Sequence, residues 1–151
     1  MTTTLLERLQ TARETGDFAP VLEAVPYAQF LGIEVDTTGG LLTGKLCYTE
    51  HLIGNATIPA LHGGTIGALL ESTAIFKLLW ESDTFQVPKT INITVEYLRS
   101  GKAMDTYARG EITRQGRRVA NVRVMAWQED PEKPIASANA HFLLTPPDER
   151  T

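Results

Sequence analysis

The sequence predicts a single α+β domain: a curved antiparallel sheet wrapped around one central helix, preceded by an N-terminal helical arm. Three observations predict it. The stretch Thr65 to Trp80 is apolar around nearly its whole circumference, which places a helix in a core or in a membrane. After Pro88 the apolar period switches from helical spacing to strict alternation, the pattern of strands buried on one face. Across the 151 residues there is no internal repeat and no linker.

The elements follow in order. Thr4-Leu5-Leu6-Glu7 is a capping-box pattern. Leu5, Leu9 and Ala12 then share a helical face that Gly16 ends, and Pro20 to Val25 adds a short second turn. Residues 1–25 form the arm, 26–146 the folded domain and 147–151 a tail. Leu31 to Asp36 reads as extended, Gly39-Gly40 as a turn and Leu41 to Tyr48 as a strand. Gly63-Gly64 breaks the chain ahead of the buried helix, whose apolar residues include Ile66, Leu69, Leu70, Ala74, Ile75, Phe76, Leu78 and Leu79. Ile91, Ile93, Val95 and Tyr97 alternate with polar residues, giving a strand with one buried face. Thr106 to Thr113, Val119 to Gln128 and Ile135 to Leu144 supply three more strands, the first two joined by a turn at Arg114 to Arg117. A sheet of this kind has edges to manage, and pairing two copies edge to edge predicts a homodimer.

Composition excludes several classes. With 42% hydrophobic and 21% charged residues, the chain is no disordered polymer. Cys47 is the single cysteine, so no intrachain disulfide forms, and a reducing cytoplasm is expected. The start MTTTLLERLQ has no basic and apolar signal-peptide pattern. Residues 51–70 carry no formal charge, close to the length of a membrane span, but His51, Asn55, Pro59, His62 and four glycines interrupt them. They read as a buried or substrate-facing segment, so no membrane partner is expected. Residues 1–88 hold four Lys/Arg against ten Asp/Glu, whereas residues 89–123 hold eight against three. A basic band in an acidic chain argues against a nucleic-acid surface and permits a local site for a phosphorylated small molecule.

Glu71 is the residue that chemistry singles out. Its neighbours one helical turn away are Gly67, Ala68, Ala74 and Ile75, none of which can answer a charge. An unpaired carboxylate on an apolar helix is costly to bury, and burial there favours its protonated form, an arrangement used for acid–base work. His62-Gly63-Gly64 opens the same helix, where free backbone amides can hold an oxygen that turns negative in a tetrahedral transition state. Nine residues, about two and a half turns, separate His62 from Glu71, so both cannot touch one carbon within a single chain. A dimer could supply the amides from one copy and the carboxylate from the other. His51, His62 and His141 show no metal-ligand spacing, and neither a nucleophile elbow nor a phosphate-binding loop occurs. No metal and no cofactor is expected.

The segment Leu61-His62-Gly63-Gly64-Thr65-Ile66-Gly67-Ala68-Leu69-Leu70-Glu71-Ser72 resembles the signature of hotdog-fold acyl-CoA thioesterases of the phenylacetate-pathway type. Tyr27 to Ile33 resembles that family's lead-in to the first strand, Thr90 to Arg99 its central strand, Gln115 to Ala120 its hairpin and Ala140 to Leu144 its last strand. The resemblance implies that Gly63 donates its N–H to the thioester carbonyl of an acyl-CoA and that Glu71 of the other subunit is general base or nucleophile. It implies that His62 positions the oxyanion turn, Gly64 belongs to it, and Asn55 holds the attacking water or the loop. Thr90 is implied near the carboxylate, and Arg99 with Gly116, Arg117 and Arg118 near the phosphates of coenzyme A. It also implies a dimer or a dimer of dimers. Leu70, Trp80, Phe85 and Ile58 are candidates for the acyl tunnel. Two functions stay open on this reading: hydrolysis of an acyl-CoA, or acyl-CoA binding without turnover.

Overall fold

The computed structural model describes residues 3–82 and 86–145; Phe85 and the tail 147–151 lie outside them. Three helices lead: α1 (Leu5–Thr15), α2 (Ala19–Leu22) and α3 (Pro26–Leu31). Strands β1 (Ile33–Asp36) and β2 (Thr43–Leu46) follow, then a small hairpin of β3 (Ile53–Asn55) and β4 (Ala60–Leu61). The long helix α4 (Gly63–Glu81) precedes β5 (Lys89–Tyr97), β6 (Thr106–Gln115), β7 (Val119–Trp127) and β8 (Ala136–Leu143). Six strands form one antiparallel sheet in the order β1-β2-β6-β7-β8-β5. The sheet wraps α4, which packs chiefly on β6 and β7. This is the hotdog arrangement that the sequence predicts.

Local chemistry explains the elements. Thr4 caps α1 in a reciprocal pair with Glu7, and Gly16 ends it in the left-handed region at φ 77°. The arm joins the main core rather than standing apart. Leu9, Ala12, Phe18 and Val21 are buried in it, and the Arg13 guanidinium donates to the Leu79 and Ser82 carbonyls at the end of α4. On β8, Ala136, Ala138, Ala140 and Phe142 are buried while Asn139 and Leu143 are exposed, the alternation expected of a sheet with one covered face.

Several elements differ from the sequence reading. Leu31 belongs to α3, and the lead-in Tyr27 to Ile33 is mostly helical, because Gly32 at φ 76° stops that helix before β1 begins. Gly63 and Gly64 do not break the chain; they are the first two residues of α4. The β6–β7 turn falls later, at residues 116–118, where the Gly116 N–H bonds the Val119 carbonyl. The largest difference is β5. Ile93 and Val95 are half-buried, whereas Ile91 and Tyr97 are 56% and 54% exposed. Strand β5 is one of the two sheet edges, α4 covers mainly the sheet's middle, and a register shift between Thr90 and Asn92 takes Ile91 out of the alternation. Among the described residues no helix is long and apolar enough to cross a membrane.

Candidate active site

The first turn of α4 is where the backbone leaves a donor without an acceptor. Four amides at a helix start lack a partner within the helix. Here Gly64 N–H donates to His62 Nδ1 at 2.8 Å, and Thr65 and Ile66 N–H donate to the His62 carbonyl at 3.0 and 3.4 Å. The Gly63 N–H has no acceptor among the described residues. His62 is therefore the helix cap through its side chain, and it is itself anchored: its own N–H bonds the Leu52 carbonyl at 2.8 Å. A Cβ on Gly54 would stand 2.8 Å from His62 Cα, so the β3–β4 hairpin can close on this turn only with glycine there.

The two glycines of the turn stand at close approaches. Neither has a positive φ. A Cβ on Gly63 would come within 3.3 Å of the Tyr97 ring, and one on Gly64 within 2.9 Å of His62 Nδ1. Tyr97 Oη also donates to the Gly63 carbonyl at 2.7 Å. Sequence reasoning missed Tyr97 as a site residue; the available signal was an aromatic with a polar tip closing a strand on the helix-facing side. Gly63, Tyr97 and Arg99 line one open cleft of about 360 Å³, together with Leu61, Ile66 and Gly101.

The other candidates occupy different places. Asn55 is exposed, and its Oδ1 accepts the Thr57 N–H at 3.0 Å, so its side chain shapes its own loop. Arg99 donates to the Pro134 carbonyl at 2.6 Å, fixing it at the mouth of the Gly63 cleft. Glu71 is half-buried on α4, and no hydrogen bond or ion pair reaches its carboxylate among the described residues. Lys77 pairs with Glu81, not with Glu71. Along the axis, Gly63 and Glu71 stand about 12 Å apart.

Thr90 and the Gly116-Arg117-Arg118 turn sit at the opposite end of the sheet from Gly63. Lys89 and Val119 both pair with Leu143, and Leu144 N–H bonds the Arg118 carbonyl at 2.8 Å. Tyr97 pairs with Ala136, about 23 Å of strand away from Thr90. Arg114, Gly116, Arg117 and Arg118 line a cleft of their own, about 550 Å³. One chain therefore brings His62, Gly63, Gly64 and Arg99 together, keeps Thr90 with the arginine turn, and unites neither group with the other. Cys47 is no rival nucleophile, since burial, reinforced by the Glu34 carboxylate, pushes its thiol up.

A family model for the thioesterase superfamily matches residues 59–135, which span the His62-Gly63-Gly64 turn, α4 and the strands through β7. The chain belongs to the thioesterase superfamily. Among relatives of this superfamily member, the medium/long-chain acyl-CoA thioesterase YigI of Salmonella typhimurium is 27% identical, over 80% of this chain and 86% of that one. A Chromobacterium violaceum protein of known structure is 38% identical, covering 92% of this chain and 97% of that one with a TM-score of 0.74. The phenylacetic acid degradation-related protein of Ralstonia eutropha, 24% identical over 90% of this chain and 98% of its own, shares the fold at a TM-score of 0.72.

Proposed function

We propose that this thioesterase-superfamily chain hydrolyses an acyl-CoA thioester to the free acid and coenzyme A, at a site assembled from two copies of the chain. The observation that carries the reading is the Gly63 N–H, the first-turn amide left without an acceptor, in a residue that lines an open cleft. The thioester carbonyl oxygen takes that N–H, which is stronger for the oxyanion than for the neutral carbonyl and so favours the transition state. Glu71 of the second copy takes a proton from water as the water oxygen bonds the carbonyl carbon. The C–S bond then breaks, and the departing thiolate of coenzyme A recovers the proton. If Glu71 is instead the nucleophile, a mixed anhydride forms as the thiolate of coenzyme A leaves, and water then cleaves it. Label found in the Glu71 carboxylate after single turnover in H2(18O), from water attack on the Glu71 carbonyl carbon, establishes that route.

The division of residues between the two ends of the sheet supports a two-chain site. Strand β5 is an exposed edge, and Thr90 and Tyr97 lie at its two ends. Antiparallel pairing of β5 with its copy about the strand's middle puts one copy's Thr90 end beside the other's Tyr97 end. The Gly116-Arg117-Arg118 turn of one copy is thereby carried toward the Gly63 and Arg99 cleft of the next, where guanidinium groups suit the phosphates of coenzyme A. Pairing of two such dimers into a tetramer follows the family resemblance. A coenzyme A thioester and a lone reduced thiol suit a cytoplasmic setting.

The test is release of free thiol from a panel of medium-chain, long-chain and aromatic acyl-CoA substrates. Gly63→Pro deletes the N–H at a helix position that accepts proline, His62 before it being already extended at ψ 131°. Gly63→Ala, which brings the same Cβ to the Tyr97 ring but keeps the N–H, is its control. The kcat of Gly63→Pro is expected to fall about 10²–10³-fold. Glu71→Ala is expected to lose about 10²–10⁴-fold. No thiol released from any substrate, or full activity in Glu71→Ala, contradicts the proposal.

A further inference from the structure

We propose that Tyr97 is a positioning residue that, with His62, clamps the Gly63–Gly64 peptide unit at both poles and thereby aims the Gly63 N–H; the inference rests on reading that N–H as the oxyanion donor. Each peptide unit is a rigid plane carrying a carbonyl at one side and an N–H at the other. In the unit between Gly63 and Gly64, the carbonyl accepts from Tyr97 Oη at 2.7 Å and the N–H donates to His62 Nδ1 at 2.8 Å. Both poles are thus held by side chains from different elements, one on edge strand β5 and one at the helix cap. The Gly63 N–H is separated from that plane only by the two backbone torsions of Gly63.

Such a clamp answers a specific weakness. Two successive glycines have the greatest backbone freedom of any pair, and the first-turn amides have no helical acceptor to steady them. An oxyanion donor must nevertheless be fixed before the reaction, since reorientation during it costs rate. Side chains on these glycines would disturb the clamp: a Cβ at Gly64 would displace His62 Nδ1, and one at Gly63 would press on the Tyr97 ring at 3.3 Å. A Cβ at Gly67, one turn on, would touch Tyr97 Oη at 3.5 Å, so the small residues on this face form the seat for the tyrosine. The acceptor role of His62 Nδ1 places the ring proton of the neutral imidazole on Nε2.

Tyr97→Phe keeps the ring and removes only the hydroxyl. It is expected to lower kcat about tenfold with KM within twofold of wild type, the signature of an interaction felt in the transition state. The water-exchange rate of the Gly64 amide, read by NMR, is expected to rise about tenfold as the peptide loosens. Melting temperature and oligomeric state should match wild type. Wild-type kcat together with an unchanged Gly64 exchange rate overturns the clamp, and so does a raised KM with kcat intact. If the wild-type protein hydrolyses no acyl-CoA while the Gly64 amide still responds to Tyr97→Phe, the clamp stands and the oxyanion role of Gly63 falls.

Discussion

Removing the Glu71 carboxylate deletes no hydrogen bond or ion pair that holds the described fold. Glu71→Gln is therefore expected to change the unfolding free energy by about 0.5 kcal/mol at most while abolishing nearly all turnover. Urea denaturation and thiol release on the same sample check both halves. At Gly64 the balance is reversed: an added methyl group would stand 2.9 Å from His62 Nδ1, displacing the acceptor of the Gly64 N–H. Gly64→Ala is expected to cost about 1 kcal/mol of stability through the lost cap, together with a fall in kcat. Asp105 offers a pH-dependent case. The Tyr48 N–H, with help from Lys45, holds its carboxyl below the usual carboxylate range. A depressed carboxylate stabilises the fold above its unfolded value and loses that contribution as pH falls through the folded value. Asp105→Asn should thus cost about 1 kcal/mol or less at neutral pH, given its exposure, and the gap should close in acid.

Where α4 meets β2 the packing leaves no slack. Gly44 faces Thr73, and a Cβ on Gly44 would overlap the Thr73 hydroxyl. That hydroxyl is fully buried and has no hydrogen-bond partner among the described residues. Gly44→Ala is expected to destabilise by about 1–3 kcal/mol, and Thr73→Ala in the same chain to recover most of it. Denaturation midpoints of the single and double variants decide this; equal losses in both would show that the contact is not the cause. The buried helix and the existence of the four strands that follow it were legible because their apolar periods are long. The His62 turn and Glu71 stood out for the same reason, as polar residues in an apolar setting. The bulge at Thr90 to Asn92 and the early stop at Gly32 were not legible, since each depends on register or on one left-handed residue that local pattern does not reveal. Tyr97 escaped notice because its role is a contact across 34 positions of sequence, made by an otherwise ordinary strand-end aromatic.

For the whole molecule, the single protomer leaves two kinds of surface unfinished. One is the edge strand β5, where Ile91, Tyr97 and Leu98 are exposed beside the unpaired backbone of the sheet edge. The other is a set of site residues divided between opposite ends of that sheet. On the proposed two-copy site, a second copy docked on β5 would complete both at once, so the loss of dimer and the loss of activity should coincide. A charge introduced within the edge, such as Ile91→Glu, is expected to give monomers by sedimentation and to abolish turnover. The most direct test of the shared site is a mixed dimer purified with one Gly63→Pro chain and one Glu71→Ala chain. If the Gly63 N–H of one copy works with the Glu71 of the other, each mixed dimer holds one intact site and recovers about half of the wild-type rate, although both parents are inactive. Mixed dimers as inactive as either parent would contradict the account.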